Sequence, residues 1–103
     1  MGRTLSVLLV AGVLAACTAA MPVVTEADVE RARAESPDVT MASLERGRTL
    51  YLARCASCHE AYHPATRTVV EWDEALVEMS DRARLKLGDR ALVRDYLRVF
   101  AAP

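Results

Sequence analysis

What this chain lacks narrows its reading before any motif is considered. It has 13 basic and 14 acidic residues, so neither sign is in excess, and the basic footprint of a nucleic-acid-binding protein is absent. Lysine is almost missing: Lys86 is the only one, and every other basic residue is arginine. A lysine-ringed docking face is therefore excluded. Aromatic residues make up only 5% of the 103 residues, so few large rings are available to fill a core. No apolar run reaches the roughly 18–20 residues that span a bilayer as a helix. No stretch alternates apolar and polar residues with period two, which argues against half-buried strands. There are no internal repeats and no low-complexity segments. A chain of this length forms one small domain with a limited core of its own.

The longest apolar stretch lies at the start. Residues 1–16 read MGRTLSVLLVAGVLAA, with Arg3 as a short positive region and Leu5 to Ala16 as an apolar segment. That segment is too short to cross a membrane and fits a secretory signal. It closes in Leu14-Ala15-Ala16-Cys17, which resembles a bacterial lipobox, where cleavage precedes the cysteine and the cysteine takes lipid. The competing readings are an ordinary signal peptide cut after A-x-A and a buried apolar helix. The small-small-Cys ending favours the lipobox. The expected organisation is a lipoprotein signal peptide over 1–16, a lipid-anchored tether with a short helix over 17–39, and a folded domain over 40–103.

Cysteine is scarce as well, with three residues: Cys17, Cys55 and Cys58. Cys55-Ala-Ser-Cys58-His59 is the C-x-x-C-H run that attaches c-type haem. Two cysteines three apart on a helical turn share a face, so each thiol can add to one vinyl group of the porphyrin. His59 then supplies the proximal axial ligand. Export is a condition for this chemistry, and the N-terminal segment supplies it. The rival is zinc held by Cys55, Cys58, His59 and His63. Structural zinc sites usually join ligand pairs from two separated segments, and no second pair exists here. A thioredoxin-like dithiol would want a βαβ context, which is not visible. With Cys17 on lipid and the other two on haem, no cysteine is left over. The low aromatic content fits a core partly filled by a porphyrin.

The rest of the chain reads as helices. Thr25-Glu26-Ala27-Asp28 starts a short helix running to about Glu35 and ended by Ser36-Pro37. Its faces are mostly charged, so a solvated spacer is expected. A second helix starts near Thr40 or Ser43, with Leu44, Gly47, Tyr51, Leu52 and Cys55 at helical spacing. A glycine inside a helix costs about 1 kcal/mol against alanine, and close approach of another helix would explain Gly47. Thr68-Val-Val-Glu71 is a capping box. It opens a helix with Trp72, Ala75, Leu76 and Met79 on one stripe. Gly88-Asp89 marks the last helix, with Leu92, Val93, Tyr96, Leu97 and Phe100 on one apolar face. The fold class is all-α.

With these residues in order, the chain resembles class I c-type cytochromes, and among them small monohaem bacterial lipoproteins, over roughly Leu44 to Phe100. The resemblance implies a small helical domain around one covalently attached haem c. It implies a close crossing of the first and last helices, here Gly47 against Tyr96. It also implies a distal methionine ligand some one and a half dozen residues before a Tyr-Leu pair. Met79 stands at that spacing before Tyr96-Leu97, which selects it over the alternative of a plain core methionine; Met21 and Met41 are weaker candidates. His63, shortly after His59, reads either as a second axial ligand or as a surface or supporting residue, the latter favoured because the distal face is hard to reach from there, and the Pro64 carbonyl reads as an acceptor for His59 Nδ1. Two departures stand out. The stretch from His59 to Met79 is short, which implies a missing loop and an exposed lower haem edge. Met79 also lies at the end of a helix without a nearby proline.

The expected function is one-electron transfer between redox partner proteins. The protein would sit in the bacterial cell envelope, anchored by lipid on Cys17 and facing the periplasm. With His59 and Met79 on the iron no site is open for substrate, so no enzyme activity is expected. Glu71, Asp73, Glu74, Glu78 and Asp81, followed by Arg82, Arg84, Lys86 and Arg90, read either as a solvated face or as a polarised docking surface. The alternatives are a five-coordinate haem protein that binds NO, CO or peroxide, and a haem subunit of a larger dehydrogenase or reductase.

Overall fold

A computed structural model of the chain describes residues 20–56 and 60–103. The expected signal segment, Cys17, Cys58 and His59 lie outside the described residues. The order of elements is α1 (Glu26–Arg33), α2 (Met41–Leu50), a π-helical turn (Tyr51–Cys55), a 3₁₀ turn (Pro64–Thr66), α3 (Val69–Arg82) and α4 (Leu87–Phe100). The described residues form no strand beyond one isolated bridge between Thr68 and Ala102. The domain is all-α, as expected.

Local chemistry starts three of the helices in the same way. Thr25, Thr40 and Thr68 each cap a helix by accepting from the backbone N–H three residues on, at Asp28, Ser43 and Glu71. The side chains of those residues return the bond to the backbone N–H of the threonine. Each such box satisfies two N–H groups that the helix itself cannot. α4 starts one residue before the expected Gly88, at Leu87, and its capping residue Lys86 makes no side-chain bond.

The helices assemble on α4, whose Val93, Tyr96 and Leu97 are completely buried. Side chains of this size contribute about 1.5–3 kcal/mol each when fully buried. α2 packs closely on α4. The crossing is at Gly47, where a Cβ would stand 2.1 Å from the carbonyl oxygen of Leu92 and 3.1 Å from Cβ of Tyr96. The glycine is there because nothing larger fits.

α1 corrects the expectation of a solvated spacer. Its Val29 is 1% exposed and belongs to one core with Val24 and Val39. Asp28 is buried beside it and accepts from the backbone and hydroxyl of Thr25 and from Arg31. Ser36 donates to Asp95 at 3.3 Å, and Arg98 reaches Glu35 at 3.3 Å. The helix is thus fastened to α4. The preceding segment is fastened too. The carbonyl of Pro22 accepts from Arg48 Nε at 2.9 Å and from the Tyr96 hydroxyl at 2.8 Å.

α3 lies against α4 through Trp72 and Leu76, both buried, and through the paired bonds of Asp73 to Arg94 at 2.8 and 2.9 Å. The buried stripe continues to Ser80, whose hydroxyl turns back to the Leu76 carbonyl. Met79, expected on this stripe, flanks it. α3 closes with Arg84 in the left-handed region at φ 53°. There the N–H of Leu85 meets the Ser80 carbonyl and that of Arg84 meets Asp81. This is a Schellman ending with arginine where glycine is usual.

Candidate functional site

The attachment run begins where α2 changes pitch. From Tyr51 to Cys55 the backbone widens into a π-helical turn, which ends at Ala56. Such local widenings recur at functional sites because they re-aim the side chains that follow. Tyr51, one turn before Cys55, is held on three sides. Its hydroxyl donates to the Tyr62 carbonyl. Its ring meets Trp72 edge-on at 5.9 Å and lies tilted against Tyr96 at 6.2 Å. Burial, with the nearby Cys55 and Tyr96, pushes the Tyr51 phenol well above its ordinary value. Cys55 is half-buried and packs against the core. Burial likewise pushes its thiol up. An apolar setting that disfavours a thiolate accepts an uncharged thioether without cost, so the surroundings of Cys55 suit the linkage that attaches haem.

Beside this turn opens a cleft of about 550 Å³. Cofactor sites commonly measure about 300–1,000 Å³. Met21, Leu52, Ala56, Ala61 and Tyr62 give it apolar walls, and Glu60 and His63 add polar groups. Its wall residues Ala56 and Glu60 bracket positions 57–59, so the cleft is adjacent to the attachment run. Size, apolar lining and position beside the attachment run, through Ala56, fit a porphyrin.

The segment after the run is braced from below. His63 Nδ1 accepts from the Ala65 N–H at 3.1 Å and caps the 3₁₀ turn. This occupies one ring nitrogen of His63, whose side chain also lines the cleft. The Pro64 carbonyl, read as a partner for His59, receives the indole N–H of buried Trp72 at 2.7 Å. The guanidinium of Arg67 lies over the rings of both Tyr62 and Trp72, at 5.7 and 5.5 Å.

Of the expected site residues, the structure places Cys55 against the core, directly before the cleft wall residue Ala56, and Met79 on α3. Met79 is half-exposed, is not among the side chains packed on the core, and is not a wall of this cleft. This placement supports neither the reading of Met79 as an iron ligand nor the reading of it as a plain core methionine. Among the described residues no group of three or more His, Cys, Asp and Glu converges on a common point. The acidic stretch of α3 is partly spent on structure. Glu71 caps the helix, Asp73 binds Arg94 and Arg98, and Glu78 pairs with Arg82 at 3.5 Å. Sequence reasoning names Met21 only as a weaker distal candidate and does not place it at the cleft, and it misses Arg48, which holds the Met21 segment, and Arg67, which lies over Tyr62. Each acts through a partner distant in sequence, or through a ring across a turn, and no local pattern marks them.

Residues 51–103, just over half of the chain, match the family model described as dihaem cytochrome c. The match begins at Tyr51 and takes in Cys55, Cys58, His59, Trp72, Met79 and Tyr96. No curated protein and no solved structure matches the chain. No helix of the described residues is long and apolar enough to cross a membrane.

Proposed function

The chain belongs to the dihaem cytochrome c family, as a c-type cytochrome with covalently bound haem c, and from that premise we propose that it is a single-haem, membrane-tethered carrier of one electron at a time. The observation that carries this reading is the apolar cleft beside Cys55, at the start of the only C-x-x-C-H run in the sequence. Although the family is named for two haems, this chain has cysteines for one attachment: Cys55 and Cys58 pair, and Cys17 stands alone.

Bound haem supplies the reversible one-electron couple of its iron. Everything else falls to the chain. Cys55 and Cys58 would hold the porphyrin by thioethers, and His59 would bind the iron from the proximal side. Met79, on α3 and outside the walls of this cleft, would supply the second protein ligand to the iron. Leu52, Ala56, Ala61 and Tyr62 would offer apolar surface to one face of the porphyrin. Tyr51 and Trp72 lock the turn that presents Cys55. Cys17 would carry the lipid, placing the domain on the periplasmic side of the envelope, where redox partner proteins reach it. With both axial positions filled, no substrate would be turned over.

A second reading rests on Met79 not lining the cleft. If the distal position stays open, the iron would bind NO, CO or peroxide. One experiment separates the two. In optical spectra of the purified holoprotein, the carrier reading expects the weak methionine-to-ferric charge-transfer band and no change when CO is added to the reduced form. Met79→Ala should abolish the band and admit CO. Ready CO binding by the wild type, unaffected by Met79→Ala, would establish the open-iron reading instead.

A further inference from the structure

Met21 lies in a segment that the sequence marks only as an unpatterned tether, yet it forms a wall of the cleft together with Leu52 and Ala56 of the attachment turn. Its place there is fixed by two side chains from two different helices. Arg48 of α2 donates from Nε to the Pro22 carbonyl at 2.9 Å and from its terminal nitrogen to the Met21 carbonyl at 3.4 Å. Tyr96 of α4 donates its hydroxyl to the same Pro22 carbonyl at 2.8 Å. Val24, two residues on, is buried in the core. Arg48 directly follows Gly47, and Gly47 packs on Leu92 and Tyr96 of α4. The crossing of α2 and α4 thus also builds the clamp.

From this juxtaposition we infer that residues 21–24 form a strap that closes one side of the haem cleft, with Met21 as its shielding residue and with Arg48 and Tyr96 as its positioning residues. The inference rests on the haem reading above. Its physical content is solvent exclusion. An apolar thioether side chain at the cleft keeps water from the porphyrin. Ferric haem carries one more positive charge than ferrous haem, and a drier surrounding disfavours the more charged form. The strap therefore raises the reduction potential and sets how much of the haem edge a partner can reach. Met21 serves here as a wall, leaving the axial role to Met79.

The test is the midpoint potential and optical spectrum of the holoprotein in four variants. Met21→Ala should lower the potential while the methionine-to-ferric band and the resistance to CO persist. Met21→Leu, which keeps apolar volume, should stay near the wild type. The clamp variant Arg48→Met with Tyr96→Phe keeps the Tyr96 ring and should shift the potential in the same direction as Met21→Ala. Adding Met21→Ala to the clamp variant should give no further shift, because both changes remove the same wall. An unchanged potential in Met21→Ala overturns the inference. Loss of the charge-transfer band in Met21→Ala also overturns it, since Met21 would then be an iron ligand. Fully additive shifts overturn the clamp. Absence of covalent haem from the wild type would instead defeat the functional reading itself, and it is visible before any variant is compared.

Discussion

Gly47 and Leu92 approach so closely that a single methyl group on the glycine would stand 2.1 Å from the leucine's carbonyl oxygen. Backbone cannot yield as a side-chain tip can, so the substitution Gly47→Ala must push α2 away from α4. Alanine would gain about 1 kcal/mol in helix propensity, but overpacking of this kind commonly costs about 1–3 kcal/mol and sometimes more. The second effect wins here because the obstructing atoms belong to a helix backbone. Denaturant unfolding of the holoprotein should show Gly47→Ala less stable by about 2 kcal/mol, within the overpacking range. Equal or higher stability would mean the crossing has slack.

Asp28 gives the docking of α1 an acid limit. Burial pushes its carboxyl up, but the Thr25 hydroxyl and N–H and the Arg31 guanidinium together hold it below its ordinary value of 3.8. A group with a depressed folded pKa stabilises fully above its unfolded value, and that contribution fades as pH falls through the folded value. Stability should therefore hold down to about pH 4 and fall below it. Hydrogen exchange should report early opening at residues 26–33. Asp28→Asn should lower stability at neutral pH and flatten this acid response.

The alkaline limit has the opposite sign. Burial raises the phenols of Tyr51 and Tyr96 above their ordinary value of 10.0. Their neutral forms are favoured by folding, so stability is complete below about pH 10 and declines above it, where the unfolded chain ionises first. Tyr51→Phe removes one of these groups and also its bond to the Tyr62 carbonyl. It should cost about 1 kcal/mol at neutral pH and lessen the alkaline decline. Ultraviolet titration of phenolate alongside unfolding would show both effects.

Arg84 holds a left-handed backbone at the end of α3, with φ at 53°. An L-residue with a side chain pays about 1 kcal/mol there, and glycine does not. Arg84→Gly should stabilise the domain by about 0.5–1 kcal/mol in denaturant unfolding. A destabilised variant would show that the Arg84 side chain makes a contact worth more than the strain.

How much of this can be read in the sequence depends on how far apart the cooperating residues lie. The three capping threonines act within one helical turn, and each start is visible in Thr25, in Thr40 or Ser43, and in Thr68 with Glu71. The periodic stripe of α4 is equally plain, since Val93, Tyr96 and Leu97 bury as their spacing requires. The pairing of Gly47 with Tyr96 follows from the resemblance alone. The docking of α1 is not legible, because a single buried valine, Val29, outweighs a mostly charged helix only when α4 is in place. The clamp on Pro22 joins residues 26 and 74 positions apart, and no local pattern encodes such a contact. At the site, C-x-x-C-H points to the cofactor outright, whereas the π-helical turn that presents Cys55 has no marker in residues 51–55. Met79 illustrates the limit of periodicity. Helical spacing places it on the buried stripe, but Ser80 occupies the buried position after Leu76 by satisfying its hydroxyl on the backbone.

The most direct test of a single-haem cytochrome is the intact mass of the denatured protein after expression with haem-maturation machinery. The expected mass is that of the processed, lipid-bearing polypeptide plus one haem, and Cys55→Ala with Cys58→Ala should remove the haem addition entirely. A mass without haem, or one carrying two, would contradict the single covalent attachment at Cys55 and Cys58.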